Sequence, residues 1–149
     1  MAKRSKKFPK EIVTSRNHYD MNDSDSYLGR HPVWSFKKLD VSSDRWSLNQ
    51  IDDLYHDIVL KLRDYEGMTW QEIMSASGGR SRGTNNHFEN VSDLCKDACD
   101  RINVLHMSDI DQVFSLRLSS LERLYGILED GTYFVLWYDP NHEIYPVEK

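Results

Sequence analysis

Long hydrophobic runs are scarce in this sequence of 149 residues. The longest apolar run covers residues 133–138, whereas a membrane-spanning helix needs about 20 consecutive apolar residues. The first residues also lack the apolar stretch of a secretory signal peptide. These absences predict a cytoplasmic protein that does not bind a membrane.

Cysteine, glycine and proline are also few. Cys95 and Cys99 are too few for a disulfide-rich secreted scaffold, and their spacing on a predicted helix suits a disulfide poorly, so both are expected to be reduced. Seven glycines and four prolines exclude collagen-like and low-complexity chains. With 39% hydrophobic residues, the chain can bury a core of about one domain.

An overall positive charge is missing as well, since the formal net charge is -5. Residues 1–30 hold seven basic and four acidic residues, a local charge of +3, and the remainder holds 12 basic and 20 acidic residues, a charge of -8. Because so acidic a body does not attract phosphate backbones as a whole, any nucleic-acid site on it must be local.

Residues 1–30 are polar and aperiodic, which predicts a flexible basic arm. The arm could contact nucleic acid, act as an address, or only keep the protein in solution. The globular domain is predicted to cover residues 31–149 and to begin with a strand in residues 31–41.

Three helices are predicted after that strand. Ser47 is a suitable N-cap for a helix that ends at Gly67 in a left-handed cap. Thr69 and Glu72 have the spacing of a capping box, which starts a second helix. A third helix should run from Ser92 to about residue 104, after an exposed loop over residues 75–90.

From Val113 onward apolar residues alternate with polar ones, which predicts three antiparallel strands in succession. Asp130-Gly131 is typical of a two-residue hairpin turn between the second and third strands. The order of one strand, several helices and then a meander predicts an α+β domain with the helices on one face of a mostly antiparallel sheet.

Counting outward from the turns predicts which residues face each other. The Asp130-Gly131 turn gives three pairs: Ile127 with Phe134, Tyr125 with Leu136, and Arg123 with Tyr138. The opposite side receives a more apolar set that should pack on the helices: Leu124, Leu128, Tyr133, Val135 and Trp137. A three-residue loop over residues 119–121 places Arg117 opposite Arg123.

Two arginines directly opposite each other destabilise a sheet, so they favour an anion between them. That anion could be phosphate, because arginines interleaved with aromatic rings such as Tyr125 and Tyr138 are typical of surfaces that bind single-stranded nucleic acid. The alternative is an ordinary sheet surface on which acidic neighbours neutralise the arginines. The candidates for that role are Glu122, Glu129 and Asp139.

Residues 113–146, VFSLRLSSLERLYGILEDGTYFVLWYDPNHEIYP, resemble the three-stranded C-terminal half of the RelE/ParE toxin superfamily. The preceding strand and helical hairpin also fit its order, so the resemblance covers residues 31–149. It implies a toxin of a type II toxin-antitoxin pair that cleaves messenger RNA, alone or on the ribosome, without a metal or other cofactor. It also implies a cognate antitoxin protein that covers the sheet face.

The resemblance implies four catalytic positions, which match Arg117, Arg123, His142 and Tyr145. The arginines would stabilise charge on the phosphate, His142 would transfer a proton, and Tyr145 would stack on a base or share the proton transfer. Alternatively, His142 caps its own turn and Tyr145 packs at the sheet edge. The sequence departs from the family pattern at Ser115, where a second basic residue is expected, and in the short stretch between His142 and Tyr145.

Further RNA contacts are predicted from Tyr125 and Tyr138 on the sheet and from Arg80 and Arg82 in the glycine-rich loop. His87 in the same loop could also bind phosphates, although the loop could be only a connector. Cys95, Cys99 and His106 lack the fourth ligand of a zinc site, so no metal site is predicted. The alternative function is a non-catalytic, ParE-like binder or inhibitor of a protein target such as a topoisomerase.

Overall fold

The computed structural model describes residues 26–77 and 84–146. Within these ranges the chain is an α+β domain with a five-stranded mixed sheet and three α-helices. The helices and strands are, in chain order, β1 (Val33–Ser35), α1 (Leu60–Glu66), α2 (Trp70–Ser75), β2 (His87–Asn90), α3 (Lys96–Val104), β3 (Gln112–Arg117), β4 (Arg123–Glu129) and β5 (Thr132–Asp139). The α+β class predicted from the sequence is confirmed.

The sheet has the strand order β1-β5-β4-β3-β2, with β1 parallel to β5 and the other pairs antiparallel. The predicted meander is β3, β4 and β5. Asp130 and Gly131 have φ angles of 50° and 88°, the left-handed values that a two-residue hairpin turn of type I′ requires. The predicted pairings of Ile127 with Phe134 and of Arg117 with Arg123 are both confirmed.

A β-bulge changes the register farther from the turn. Gly126 faces Val135 but Tyr125 faces Trp137, so Leu136 is an extra residue in β5. The predicted partners of Tyr125 and Arg123 are therefore wrong, and Arg123 lies opposite Asp139. Because of the extra residue, Trp137 faces away from the sheet side that was predicted to be apolar, and Tyr138 lies on that side instead.

The sheet is covered on both faces. One face packs against α1 and α2, and the largest side chains of this first core cluster are Trp70, Phe114, Tyr133, Ile58 and Ile73. The other face packs against α3 and the segment around Trp46, in a second cluster that includes Ile102, Val113, Tyr125, Leu136 and Trp137. The prediction that the helices cover only one face is wrong, because the middle strands are apolar on both sides.

Several boundaries differ from the prediction. Ser47 does cap a helical turn, but this is a short 3₁₀ turn, Leu48–Gln50, and a separate π-helical turn, Tyr55–Val59, leads into α1. Gly67 ends α1 with a φ of -76°, so it is not a left-handed cap. α3 begins at Lys96 rather than at Ser92. Strand β2 lies in a stretch that was predicted to be a loop.

The predicted N-terminal arm contributes a residue to the folded domain. Residues 1–25 of the predicted arm are outside the described residues, but Leu28 is buried in the first core cluster.

None of the helices within residues 26–77 and 84–146 has the length and apolar content needed to cross a membrane.

The predicted capping box at the start of α2 is confirmed. The Thr69 hydroxyl accepts a hydrogen bond from the Glu72 N–H at 3.2 Å, and the Glu72 carboxylate accepts one from the Thr69 N–H at 2.9 Å. Thr69→Ala should lower the free energy of unfolding by about 1 kcal/mol, since a backbone N–H of the first turn loses its partner. Urea unfolding would measure this loss. Thr69→Ser keeps the oxygen and should retain most of the stability, and equal losses in both variants would contradict the capping role.

Candidate anion-binding site

Two arginines meet where β3 ends and β4 begins. Arg117 is the last residue of β3 and Arg123 the first of β4, and the two lie directly opposite each other. The Leu118 N–H donates to the Glu122 carbonyl at 3.0 Å and closes the short loop between the strands. The tight connection therefore keeps the two side chains side by side.

Among the described residues, the acceptors of both guanidinium groups are uncharged oxygen atoms. Arg117 donates from Nε to the Ser119 carbonyl at 3.2 Å and from Nη1 to the Asn85 side-chain oxygen at 3.1 Å. Arg123 donates from Nη1 to the carbonyls of Ser119 at 2.8 Å and Glu122 at 2.9 Å. No ion pair with either arginine occurs in the part of the chain that the structure describes.

The carboxylates predicted as neutralising partners are engaged elsewhere. Glu122 accepts from the Tyr138 hydroxyl, Glu129 pairs with Lys38 at 3.6 Å, and Asp139 accepts from the backbone N–H groups of Asn141 at 3.4 Å and Ile144 at 2.8 Å. Among the described residues, none of these carboxylates forms an ion pair with either arginine, although Asp139 lies opposite Arg123 and acts on it through its charge. The two arginines share one carbonyl acceptor, that of Ser119.

This arrangement destabilises the charged form of Arg123. Burial lowers the pKa of Arg123, and the neighbouring charge of Arg117 lowers it further. An arginine keeps its proton even so, because its ordinary pKa is far above neutral pH. A bound anion would offset both the lost hydration and the repulsion, so the pair is suited to anion binding.

The two tyrosines predicted to contact RNA do not offer their rings to solvent. Tyr125 is fully buried beneath α3, and Tyr138 is 5% exposed and lies on the other face. The expected open aromatic surface beside the arginines is therefore wrong. The second helical layer and the bulge at Leu136 are the physical reasons, since they bury one ring and redirect the other.

His142 and Tyr145 contact each other rather than the arginines. The His142 Nδ1 lies 3.1 Å from the Tyr145 carbonyl, and the His142 backbone is left-handed with a φ of 58°. The Tyr145 side chain packs, half-buried, against the second core cluster. No hydrogen bond joins His142 to Arg117 or Arg123 among the described residues. Arg80 and Arg82 are outside the described residues.

Two polar residues on β2, His87 and Glu89, lie on the same side of the sheet as this site; His87 was considered only as a phosphate contact in the glycine-rich loop, and Glu89 was not predicted. His87 faces Ser115 across the β2–β3 pair, and Ser115 precedes Arg117 by two residues, so His87 lies on the same sheet face as the arginines. The alternation of polar His87, apolar Phe88 and polar Glu89 is the signal of an edge strand. The strand was not predicted because the adjoining glycine-rich stretch is typical of a loop.

Metal ligands are not clustered in the described ranges, where no group of three or more His, Cys, Asp or Glu side chains is placed to hold an ion. The chain matches no protein-family model, no curated protein and no solved structure. The fold and the site thus define a class only: an α+β domain whose mixed sheet is covered on both faces and carries, at one end, two facing arginines without an ion pair to any described residue.

Proposed function

We propose that Arg117 and Arg123 bind a phosphate group of RNA, and that the protein is an endoribonuclease toxin of a type II toxin-antitoxin pair. One observation carries the proposal: the two half-buried guanidinium groups lie opposite each other and, within residues 26–77 and 84–146, donate to uncharged oxygens alone. A phosphate supplies the missing negative charge, and its oxygens match the planar array of N–H donors on arginine.

The chemistry follows from what arginine can and cannot do. The ribose 2′-hydroxyl loses its proton and attacks the neighbouring phosphorus, and the bond to the leaving 5′-oxygen breaks as that oxygen takes up a proton. Charge builds up on the phosphoryl oxygens, where Arg117 and Arg123 would stabilise it. The proton transfers must come from other groups, since arginine does not titrate near neutral pH.

The resemblance to RelE/ParE toxins supports the toxin part of the proposal, with messenger RNA as substrate and a cognate antitoxin as partner. Because α3 covers the sheet face on which the arginines lie, an antitoxin cannot act by coating that whole face. We propose that it reaches the arginine pair at the end of the sheet. An acidic segment would suit this role, since it would supply the same negative charge as phosphate.

A second candidate is the non-catalytic, ParE-like binder of a protein target. The position of His142 favours it, because no hydrogen bond among the described residues joins the residue expected to transfer protons to the arginine pair. Such a protein would use the arginine pair to bind an acidic partner and would leave RNA intact.

Removing either arginine should weaken binding of a short single-stranded RNA about tenfold, since a charged hydrogen-bonded contact is lost. Arg117→Gln and Arg123→Gln should each also reduce the slope of log affinity against log salt by about one. Arg63→Gln is the matched control, because Arg63 is an exposed arginine on α1. Affinities of both variants equal to that of Arg63→Gln would refute the proposed phosphate site.

Cleavage is tested by expressing the wild type and Arg123→Gln in bacterial cells and mapping transcript ends. The wild type should stop growth and create new ends, whereas Arg123→Gln should do neither. Growth arrest without new ends would contradict the nuclease and support the binder.

A further inference from the structure

His87 occupies the position next to the arginine pair on the same sheet face. It lies opposite Ser115 in β3, and Arg117 is the next residue of β3 on that side. Asn85, two residues before His87, holds the Arg117 Nη1 at 3.1 Å. The charge of Arg123, one strand farther away, lowers the pKa of this histidine. The imidazole therefore lies beside Arg117 and within the electrostatic influence of Arg123.

Both ring nitrogens of His87 face acceptors that have no proton to donate. Nδ1 lies 3.0 Å from the Thr84 carbonyl, and Nε2 lies 2.7 Å from a Glu89 carboxylate oxygen. A neutral imidazole has one N–H and can satisfy only one of these acceptors. The imidazolium has two N–H groups and satisfies both, so the surroundings favour the charged ring.

Glu89 is shielded, whereas the His87 ring is presented to solvent. The side chain of His87 is 44% exposed and that of Glu89 is 11% exposed. A ligand approaching the arginines would therefore meet the imidazolium before the carboxylate. Glu89 lies one same-face position farther along β2, opposite Val113, and so it is farther from Arg117 along the strands than His87 is.

We infer that His87, held as an imidazolium by Glu89 and the Thr84 carbonyl, is the third cation of the arginine site and attracts the RNA phosphate through its charge, since both of its N–H groups already have acceptors. This inference rests on the proposed function and adds to it a dependence on pH. Glu89 is a positioning residue in this scheme, because it acts on the phosphate only through the charge of His87.

The direction of the pH dependence follows from the groups around the ring. Glu89 raises the pKa of His87 above its ordinary 6.5, and this outweighs the opposing effects of burial and of Arg123. The ring keeps its charge below its raised pKa and loses it as the pH rises through that value, so phosphate affinity should fall on the alkaline side.

The probe is a short RNA with 2′-O-methyl groups, which binds but cannot be cleaved by attack of its own 2′-oxygen. Affinity of the wild type should fall about tenfold as the pH rises from about 6 to about 8.5, since one positive charge beside the phosphate is lost. His87→Gln should bind weakly and without this pH dependence. Glu89→Gln should retain binding at low pH but move the midpoint of the loss to lower pH. His56→Gln is the matched control, because His56 is an exposed histidine that also pairs with a carboxylate, Asp53, at 2.7 Å.

Nuclear magnetic resonance of the His87 ring gives a second measurement that needs no variant. Its titration midpoint should lie above 6.5 and should rise when the modified RNA binds. RNA binding that requires Arg117 and Arg123 but leaves the His87 signal and the pH profile unchanged would overturn this inference alone. Absence of RNA binding at every pH would overturn the proposed function, and this inference with it.

Discussion

Asp40→Ala should lower the free energy of unfolding by about 3 to 5 kcal/mol, one of the two largest losses expected in this chain. The Asp40 carboxylate is buried, and it accepts hydrogen bonds from Arg101 at 2.7 Å through both of its oxygens and from the Trp137 indole N–H at 2.9 Å. Its removal leaves a partly buried guanidinium and a buried indole N–H without a partner, which is costlier than losing one contact. Urea unfolding followed by tryptophan fluorescence would measure the loss.

Two comparisons make this prediction specific. Asp52→Ala removes an exposed carboxylate and should change the stability by no more than about 0.5 kcal/mol. Asp40→Asn keeps an oxygen acceptor but loses the negative charge, so its loss should be intermediate. A loss in Asp40→Ala no greater than that in Asp52→Ala would show that this buried pair does not stabilise the fold.

The same carboxylate should make the protein sensitive to acid. Burial raises the pKa of Asp40, but the hydrogen bonds from Arg101, Trp137 and Ser42 outweigh burial, so the pKa lies below its ordinary 3.8. A lowered carboxyl pKa contributes stability that is complete above about pH 3.8 and is lost as the pH falls through the folded-state value. In Asp40→Asn this part of the acid dependence should be absent.

Gly126→Ala should lower the free energy of unfolding by about 3 kcal/mol, because a side chain at this position has no room. A Cβ on Gly126 would lie 2.3 Å from the Phe134 carbonyl oxygen and 2.7 Å from the Tyr133 ring. Both neighbours belong to β5, an interior strand that pairs with β1 and, at the bulge, with β4, so neither can move without disturbing the sheet. Thermal and urea unfolding would both report the change.

Gly29→Ala is the matched control for this substitution, since a Cβ there would meet nothing within 4 Å. It should leave the stability nearly unchanged. If Gly126→Ala unfolded at the same urea concentration as Gly29→Ala, the close approach of β4 and β5 at the bulge would be contradicted.

The arginine pair could be predicted because its position depends only on local geometry. A hairpin with a short loop has a register set by the loop length, and Arg117 and Arg123 are the first facing residues beyond the closing contact of Leu118 and Glu122. Ile127 and Phe134 were predicted for the same reason, from the turn at Asp130-Gly131. The predicted register of β4 and β5 is wrong only at the bulge, beyond Gly126, because nothing in the alternating pattern indicates an additional residue in β5.

His87 shows why the rest of the candidate site could not be predicted. Its strand, β2, is short and follows a glycine-rich stretch, and only pairing with β3 makes it a strand and brings it beside the arginines. Its Glu89 and Thr84 contacts depend on that pairing as well. The burial of Tyr125 likewise depends on α3, whose position relative to the sheet is not encoded in any local pattern.

The sequence by itself determined the α+β class, the meander with its left-handed turn at Asp130-Gly131, the capping box at Thr69 and the meeting of two arginines. These depend on interactions between residues close in the chain, where backbone geometry leaves few choices. Only the tertiary structure decided that both sheet faces are covered, that the acidic neighbours are engaged elsewhere, and that His87 lies beside the arginines. These features depend on packing between distant segments, whose free energies are set by contacts that no local pattern specifies.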